Sequence, residues 1–165
     1  MRHASFLKVC FALTATIILL SNPMDRAVSL TVSSDVQIAA TYCGKTADQF
    51  EATIDGTNFS DKLVGTRGSD LIRGFGGNDQ INGYTGDDCI IGGEGNDNLR
   101  GYSGSDSIFG GPGRDIMIGE TGNDFLFGEA GNDDLSGGAG NDLLNGGAGT
   151  DKCKGGGGVD FTLNC

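Results

Sequence analysis

From Gly56 onward the chain keeps an unbroken nine-residue frame, and that frame restricts its possible folds more than any other feature. The units run GTNFSDKLV, GTRGSDLIR, GFGGNDQIN, GYTGDDCII, GGEGNDNLR, GYSGSDSIF, GGPGRDIMI, GETGNDFLF, GEAGNDDLS, GGAGNDLLN, GGAGTDKCK and GGGGVDFTL. These are twelve units over residues 56–163, without insertion or deletion. The first position is Gly in all twelve, and the sixth is Asp in all twelve. The fourth is Gly in eleven, with Phe59 the exception. The eighth is Leu, Ile or Met in the first ten units, then Cys153 and Thr162. Thirty of the 31 glycines fall in this region. A disordered Gly-rich linker shares that composition but has no reason to hold one register for so long.

The residue types assign a conformation to each position. Gly suits tight turns with positive φ, so the first six positions read as a turn. The last three read as a short strand, with position eight inward and positions seven and nine outward. A unit with one aliphatic residue cannot bury it alone, so neighbouring units must stack. One aliphatic per nine residues is also too thin a core to offset the entropy of ordering the chain. Something besides apolar burial has to hold such a stack.

The frame resembles the RTX, or haemolysin-type, calcium-binding repeat, G-G-x-G-x-D-x-U-x. Position two is the loosest match, with Gly in only five units and Thr57, Thr66, Phe75, Tyr84, Tyr102, Glu120 and Glu129 elsewhere. The resemblance implies an all-β fold: a right-handed parallel β-roll, or β-solenoid. It would have two short-stranded parallel sheets and about six coils of two nonapeptides each. Unit n then stacks on unit n+2. Asp70, Asp88, Asp106, Asp124, Asp142 and Asp160 would form one column, and Asp61, Asp79, Asp97, Asp115, Asp133 and Asp151 the other. Columns of bare carboxylates repel.

The resemblance also implies the remedy, a calcium ion between stacked turns, bound by the Asp carboxylates and by turn carbonyls. Calcium accepts six to eight oxygen ligands, backbone carbonyls included. The candidate carbonyl donors are the turn glycines Gly65, Gly68, Gly74, Gly77, Gly83, Gly86, Gly92, Gly95, Gly101 and Gly104. They continue with Gly110, Gly113, Gly119, Gly122, Gly128, Gly131, Gly137, Gly140, Gly146 and Gly149. Twelve units make ten stacked pairs, hence up to about ten Ca2+ ions. The end sites should be weaker, since Phe59 replaces a turn Gly in the first unit. Magnesium prefers strict octahedra and keeps its waters. Zinc would need His or thiolate ligands. The calcium-free chain is expected to be largely unfolded, with metal binding coupled to folding.

Charge and motifs narrow the function classes. The net charge is −11, from 22 acidic and 11 basic residues. Such a chain should repel nucleic acid and anionic membrane surfaces and attract cations. No enzyme is expected. His3 is the only His, which excludes H-E-x-x-H, Ser-His-Asp and Cys-His sites. Ser103 lies in GYSGS, which fails the nucleophile-elbow pattern. The repeat already accounts for the carboxylates that a glycosidase pair would use. An ice-binding row is not expected, because position three holds only Thr85 and Thr121.

The flanks read differently. Arg2, His3 and Lys8 precede an apolar run, Val9 to Leu20, that is too short to span a bilayer comfortably. This is the pattern of a secretory signal peptide, assigned to residues 1–27, with an uncleaved anchor as the alternative. Export by the general secretory route and an extracellular location follow. Residues 28–46 read as a linker. Residues 47–55 read as a degenerate unit capping the open end of the stack, with Ile54 inward. Four cysteines remain beyond the leader, Cys43, Cys89, Cys153 and Cys165, and an exported chain suggests two disulfides. Three connectivities exist. Cys43–Cys89 would tie the N-terminal segment to the even-numbered face. Cys153–Cys165 would close the last coil, with residues 164–165 as a C-terminal disulfide cap.

The outer faces also differ. Odd-numbered units present mostly polar residues. Even-numbered units present an apolar stripe that includes Leu71, Ile91, Phe109, Phe125, Phe127 and Phe161. Such a patch usually has a partner. Cover by residues 41–55 accounts for part of it. A protein partner or a homodimer through Ile91, Phe109, Phe125, Phe127 and Phe161 is the alternative. A calcium-folded structural or adhesive module, or a binding module using this face, are the two functional expectations.

Overall fold

The computed structural model describes residues 43–165. The expected leader, and the part of the linker before Cys43, lie outside the described residues. A 3-10 turn, Ala47–Gln49, precedes fourteen strands. In chain order these are β1 (Ala52–Asp55), β2 (Lys62–Val64), β3 (Asp70–Gly76), β4 (Gln80–Thr85), β5 (Cys89–Glu94), β6 (Asn98–Ser103) and β7 (Ser107–Pro112). They continue with β8 (Ile116–Thr121), β9 (Phe125–Gly131), β10 (Asp134–Ala139), β11 (Leu143–Asn145), β12 (Ala148–Gly149), β13 (Lys152–Gly157) and β14 (Phe161–Leu163).

Every pairing is parallel, and the strands alternate between two sheets. One sheet runs β1-β3-β5-β7-β9-β11-β14, with β12 added beside β9. The other runs β13-β10-β8-β6-β4-β2. Partners are 18 residues apart throughout, as in Ile72↔Ile90, Ile81↔Leu99 and Leu135↔Cys153. Each unit therefore stacks on the next but one, and about six coils make an all-β solenoid. A frame with no insertion is what permits this, since a single added residue would turn a whole strand inside out.

The core is a file of position-eight side chains from both sheets. Ile72, Ile81, Ile90, Leu99, Ile108, Met117, Leu126, Leu135 and Leu144 are all fully buried. Leu63 and Cys153 close the file at its ends, and Ile54 of β1 packs on the same cluster.

The strands are longer than the three residues per unit expected from the sequence. Most also take in the first three positions of the following unit, as in β4, where Tyr84↔Tyr102 and Thr85↔Ser103 continue the ladder. The reason is the constant 18-residue offset. It lets backbone groups on both sides of a bend find partners in the next coil, so only positions four to six are left to turn.

The N-terminal segment lies on the even-numbered sheet. Phe50, Leu71 and Cys89 form a second small cluster with Cys43 and Ile91. Lys45 reaches across it, donating to the Asp87 carbonyl at 2.9 Å and the Ser69 hydroxyl at 3.2 Å. Arg73 of β3 forms a two-pronged ion pair with Asp55, both bonds at 2.8 Å.

Candidate metal centre

The twelve aspartates sit where each turn enters its strand, and stacking brings them into two columns. Within a column the carboxylates are linked through the backbone. The amide of Asp70 donates to Oδ1 of Asp88, that of Asp88 to Oδ1 of Asp106, and that of Asp106 to Oδ1 of Asp124, at 2.8–2.9 Å. The other column repeats this from Asp61 to Asp151. Except in Asp61 and Asp70, which head the columns, one oxygen of each carboxylate is thus used to lock one coil to the next.

The second oxygen is not used in this way. Oδ2 of Asp79, Asp88, Asp97, Asp106, Asp115, Asp124, Asp133 and Asp142 is buried with no hydrogen-bond partner. A buried, unpartnered carboxylate oxygen is costly and calls for an ion or a donor. The space in front of it is defined by the first glycine of the same unit. A Cβ added to Gly74, Gly92 or Gly119 would meet that Oδ2 and the carbonyl oxygen of the first glycine two units on. At Gly92 that carbonyl belongs to Gly110 and would lie 2.7 Å away, and at Gly119 it belongs to Gly137, also 2.7 Å away. A cradle of one carboxylate oxygen and a carbonyl oxygen, about a calcium–oxygen bond length from a common point, recurs along the interior of the stack.

No group of three or more His, Cys, Asp or Glu side chains gathers among the described residues. A cation here must therefore draw much of its coordination from the backbone. That suits calcium, which takes carbonyl oxygens readily, and does not suit zinc.

Burial acts on the same carboxylates. Desolvation, opposed by the backbone hydrogen bond from the preceding coil, raises the pKa of Asp88, Asp106 and Asp115 to about 7. The same causes raise Asp97 and Asp124 to about 6, and Asp133 and Asp142 also move upward. A nearby cation would reverse this, holding the carboxylates ionised.

The aspartates are not equivalent. Those from Asp70 to Asp142 are buried, whereas Asp61, Asp151 and Asp160 at the ends are partly exposed. The glycines divide by function. The position-four residues Gly77, Gly86, Gly95, Gly104, Gly113, Gly122, Gly131, Gly140 and Gly149 have positive φ, as turns require. The position-one residues Gly65, Gly74, Gly83, Gly92, Gly101, Gly110, Gly119, Gly128, Gly137 and Gly146 do not. They are glycine for lack of space, because a side chain would fill the cradle. Gly68, in the second unit, also lacks a positive φ, and Glu51 lies over it.

The reading of position one as a turn-former is corrected accordingly. From the third unit on, the second positive φ of the turn falls at position two instead. It is adopted there by Phe75, Tyr84, Tyr102, Glu120 and Glu129, a conformation uncommon for such residues.

Two sets of residues escaped the sequence reading. The position-five side chains form a ladder outside the aspartates. Oδ1 of Asn78, Asp87, Asn96, Asn123, Asn132 and Asn141 each accepts the amide of the residue 18 further on, at 2.8–2.9 Å. Ser60 and Ser69 do the same with their hydroxyls. The signal was present, since position five is Ser, Asn or Asp in nine of the first ten units. Thr57 and Thr66 are the second set. Their hydroxyls bind Asp61 and Asp70.

The cysteines close the two ends. Cys43 is bonded to Cys89 and Cys153 to Cys165, with Cα separations of 5.9 and 5.7 Å. The first bond pins the N-terminal segment over the even-numbered sheet, and Leu71 and Cys89 are buried beneath it.

A search of curated proteins finds no match to the chain. The family model for the RTX calcium-binding nonapeptide repeat, written as four copies, matches three times in succession, over residues 55–90, 91–126 and 127–161. These matches span most of the described solenoid and include all twelve Asp positions. The chain belongs to the RTX calcium-binding nonapeptide repeat family, whose repeats bind calcium.

Proposed function

We propose that this chain is an exported structural module that folds when calcium fills the cradles between its stacked turns. The observation that carries this reading is the row of buried, unpartnered Oδ2 atoms from Asp79 to Asp142, in cradles shared with glycine carbonyls such as those of Gly92, Gly110 and Gly137. In this reading those aspartates and the position-one carbonyls hold the ion. Calcium supplies positive charge that offsets carboxylate desolvation and repulsion along each column. The disulfides accord with an oxidising compartment, and millimolar calcium outside the cell suits weak repeated sites. The 1–27 leader is the proposed route there, with residues 47–55 as the N-terminal cap.

Far-UV circular dichroism during a calcium titration tests the reading. A cooperative gain of β signal, reversed by chelator and not reproduced by magnesium, is expected. A spectrum unchanged by calcium would overturn it.

A second reading concerns the even-numbered outer face. Among the described residues, the N-terminal segment covers one end of it, around Leu71, Cys89 and Ile91. Further along, Phe109 and Phe127 stack with centroids 5.3 Å apart, and Phe125, Phe161 and Leu163 are exposed. This supports a homodimer or protein-binding use of the C-terminal half. Sedimentation in calcium should then show association that Phe125→Asp abolishes, and a concentration-independent monomer would remove the homodimer.

A further inference from the structure

The first two units differ from the interior in how Oδ2 of their aspartate is partnered. Their cradles are present: a Cβ on Gly56 would lie 3.0 Å from Asp61 Oδ2 and 2.8 Å from the Gly74 carbonyl oxygen. A Cβ on Gly65 would lie 2.8 Å from Asp70 Oδ2 and also meet the Gly83 carbonyl. Here, however, Oδ2 is already satisfied. Asp61 Oδ2 accepts the Thr57 amide at 2.7 Å and the Thr57 hydroxyl at 2.8 Å. Asp70 Oδ2 accepts the Thr66 amide at 2.5 Å and the Thr66 hydroxyl at 3.0 Å.

The cause lies at position two. From the third unit on, the non-glycine residues at this position have φ between 72° and 81°. Thr57 and Thr66 do not share that conformation. A β-branched side chain makes positive φ a severe outlier. Threonine therefore holds the turn in the other geometry, which aims its amide and hydroxyl at the carboxylate. The hydroxyl also accepts the position-four amide, from Phe59 at 3.1 Å and from Gly68 at 3.2 Å, so the turn is closed upon itself. A cation entering either cradle would meet the positive ends of two donors.

We infer that Thr57 and Thr66 close the inter-turn positions headed by Asp61 and Asp70, which take no calcium, so that the metal-bound stack begins at Asp79. This rests on the calcium reading above. The repeat count alone allows about ten ions. The threonine closure leaves eight, one for each buried Oδ2 without a partner. The N-terminal end of the solenoid is then held by hydrogen bonds and the Cys43–Cys89 bond, and metal holds the rest.

Counting calcium in the full chain by native mass spectrometry, with equilibrium dialysis as the solution check, tests this. The wild-type chain should hold eight ions. Thr66→Gly frees both φ and Oδ2 and should raise the count to nine, and the Thr57→Gly/Thr66→Gly pair should raise it to ten. Thr57→Gly alone, at the edge of the stack, serves where the other variants fold poorly, and should also give nine. A wild-type count of ten, or folded glycine variants that stay at eight, would overturn the inference while leaving the calcium reading intact. A chain that binds no calcium would sink both.

Discussion

Units one and two and units three to ten share a frame, an 18-residue offset and an inward position eight, yet they satisfy the same carboxylate oxygen differently. In the first two, threonine donates to Oδ2. In the interior, Oδ2 has no partner. The difference teaches that one solenoid lattice can be closed by a hydrogen-bond donor or by a cation. The choice is made by the residue type at position two and its tolerance of positive φ. Donor closure is independent of the medium, whereas cation closure makes folding respond to calcium.

The largest expected effect comes from removing calcium. In excess chelator, amide exchange should accelerate by orders of magnitude from Ile81 to Leu144. Protection should persist longest in β1, β3 and the segment bound through Cys43–Cys89. Uniform loss over the whole chain would erase the distinction between the two regions.

Acid should act next, and in the opposite direction. Asp88, Asp106 and Asp115 hold protons up to about pH 7 when folded, against an ordinary value of 3.8. Their raised pKa values destabilise the metal-free solenoid above pH 7. That penalty is relieved as pH falls from about 7 towards 3.8. In chelator, β signal should therefore rise on acidification over this window, as protons neutralise charges that calcium otherwise offsets. No gain between pH 7 and pH 4 would mean that carboxylate charge does not limit folding.

A core substitution sharpens the comparison by packing alone. Leu99 is fully buried in the interior file, so Leu99→Ala should cost about 2–5 kcal/mol in calcium. Ile54 is only partly buried, and Ile54→Val should cost about 1 kcal/mol or less. Equal losses in denaturant titrations would show that the first coil is packed as tightly as the middle.

The smallest effect is expected in the outer ladder. Asn141→Ala removes the acceptor for the Val159 amide, an exposed bond worth about 1 kcal/mol, and should fray the last coil without changing the calcium count. A lost ion in this variant would make the ladder part of the metal centre.

Much of this architecture was legible because the frame is regular. Period nine with an aliphatic at eight marked the inward file from Ile72 to Leu144, and the resemblance to the RTX repeat implied the two sheets and the unit n to n+2 stacking. The two disulfides occupy pairings that the unit positions favoured. The aspartates were visible as columns, but their two oxygens were not distinguishable. A sequence does not say that Oδ1 faces a backbone amide while Oδ2 faces a cradle. The glycines at positions one and four looked alike for the same reason. One is needed for backbone angle and the other for empty space.

The sequence by itself determined the repeat, its register and which side chains point inward, because those depend on local periodicity that twelve copies make unambiguous. Only the tertiary structure decided which oxygens lack partners, how far the strands extend and which part of the apolar stripe Phe50 and the Cys43–Cys89 bond cover. Those depend on where groups 18 or 46 residues apart come to rest. A nonamer read alone contains no information about the atoms of the coil that lies against it.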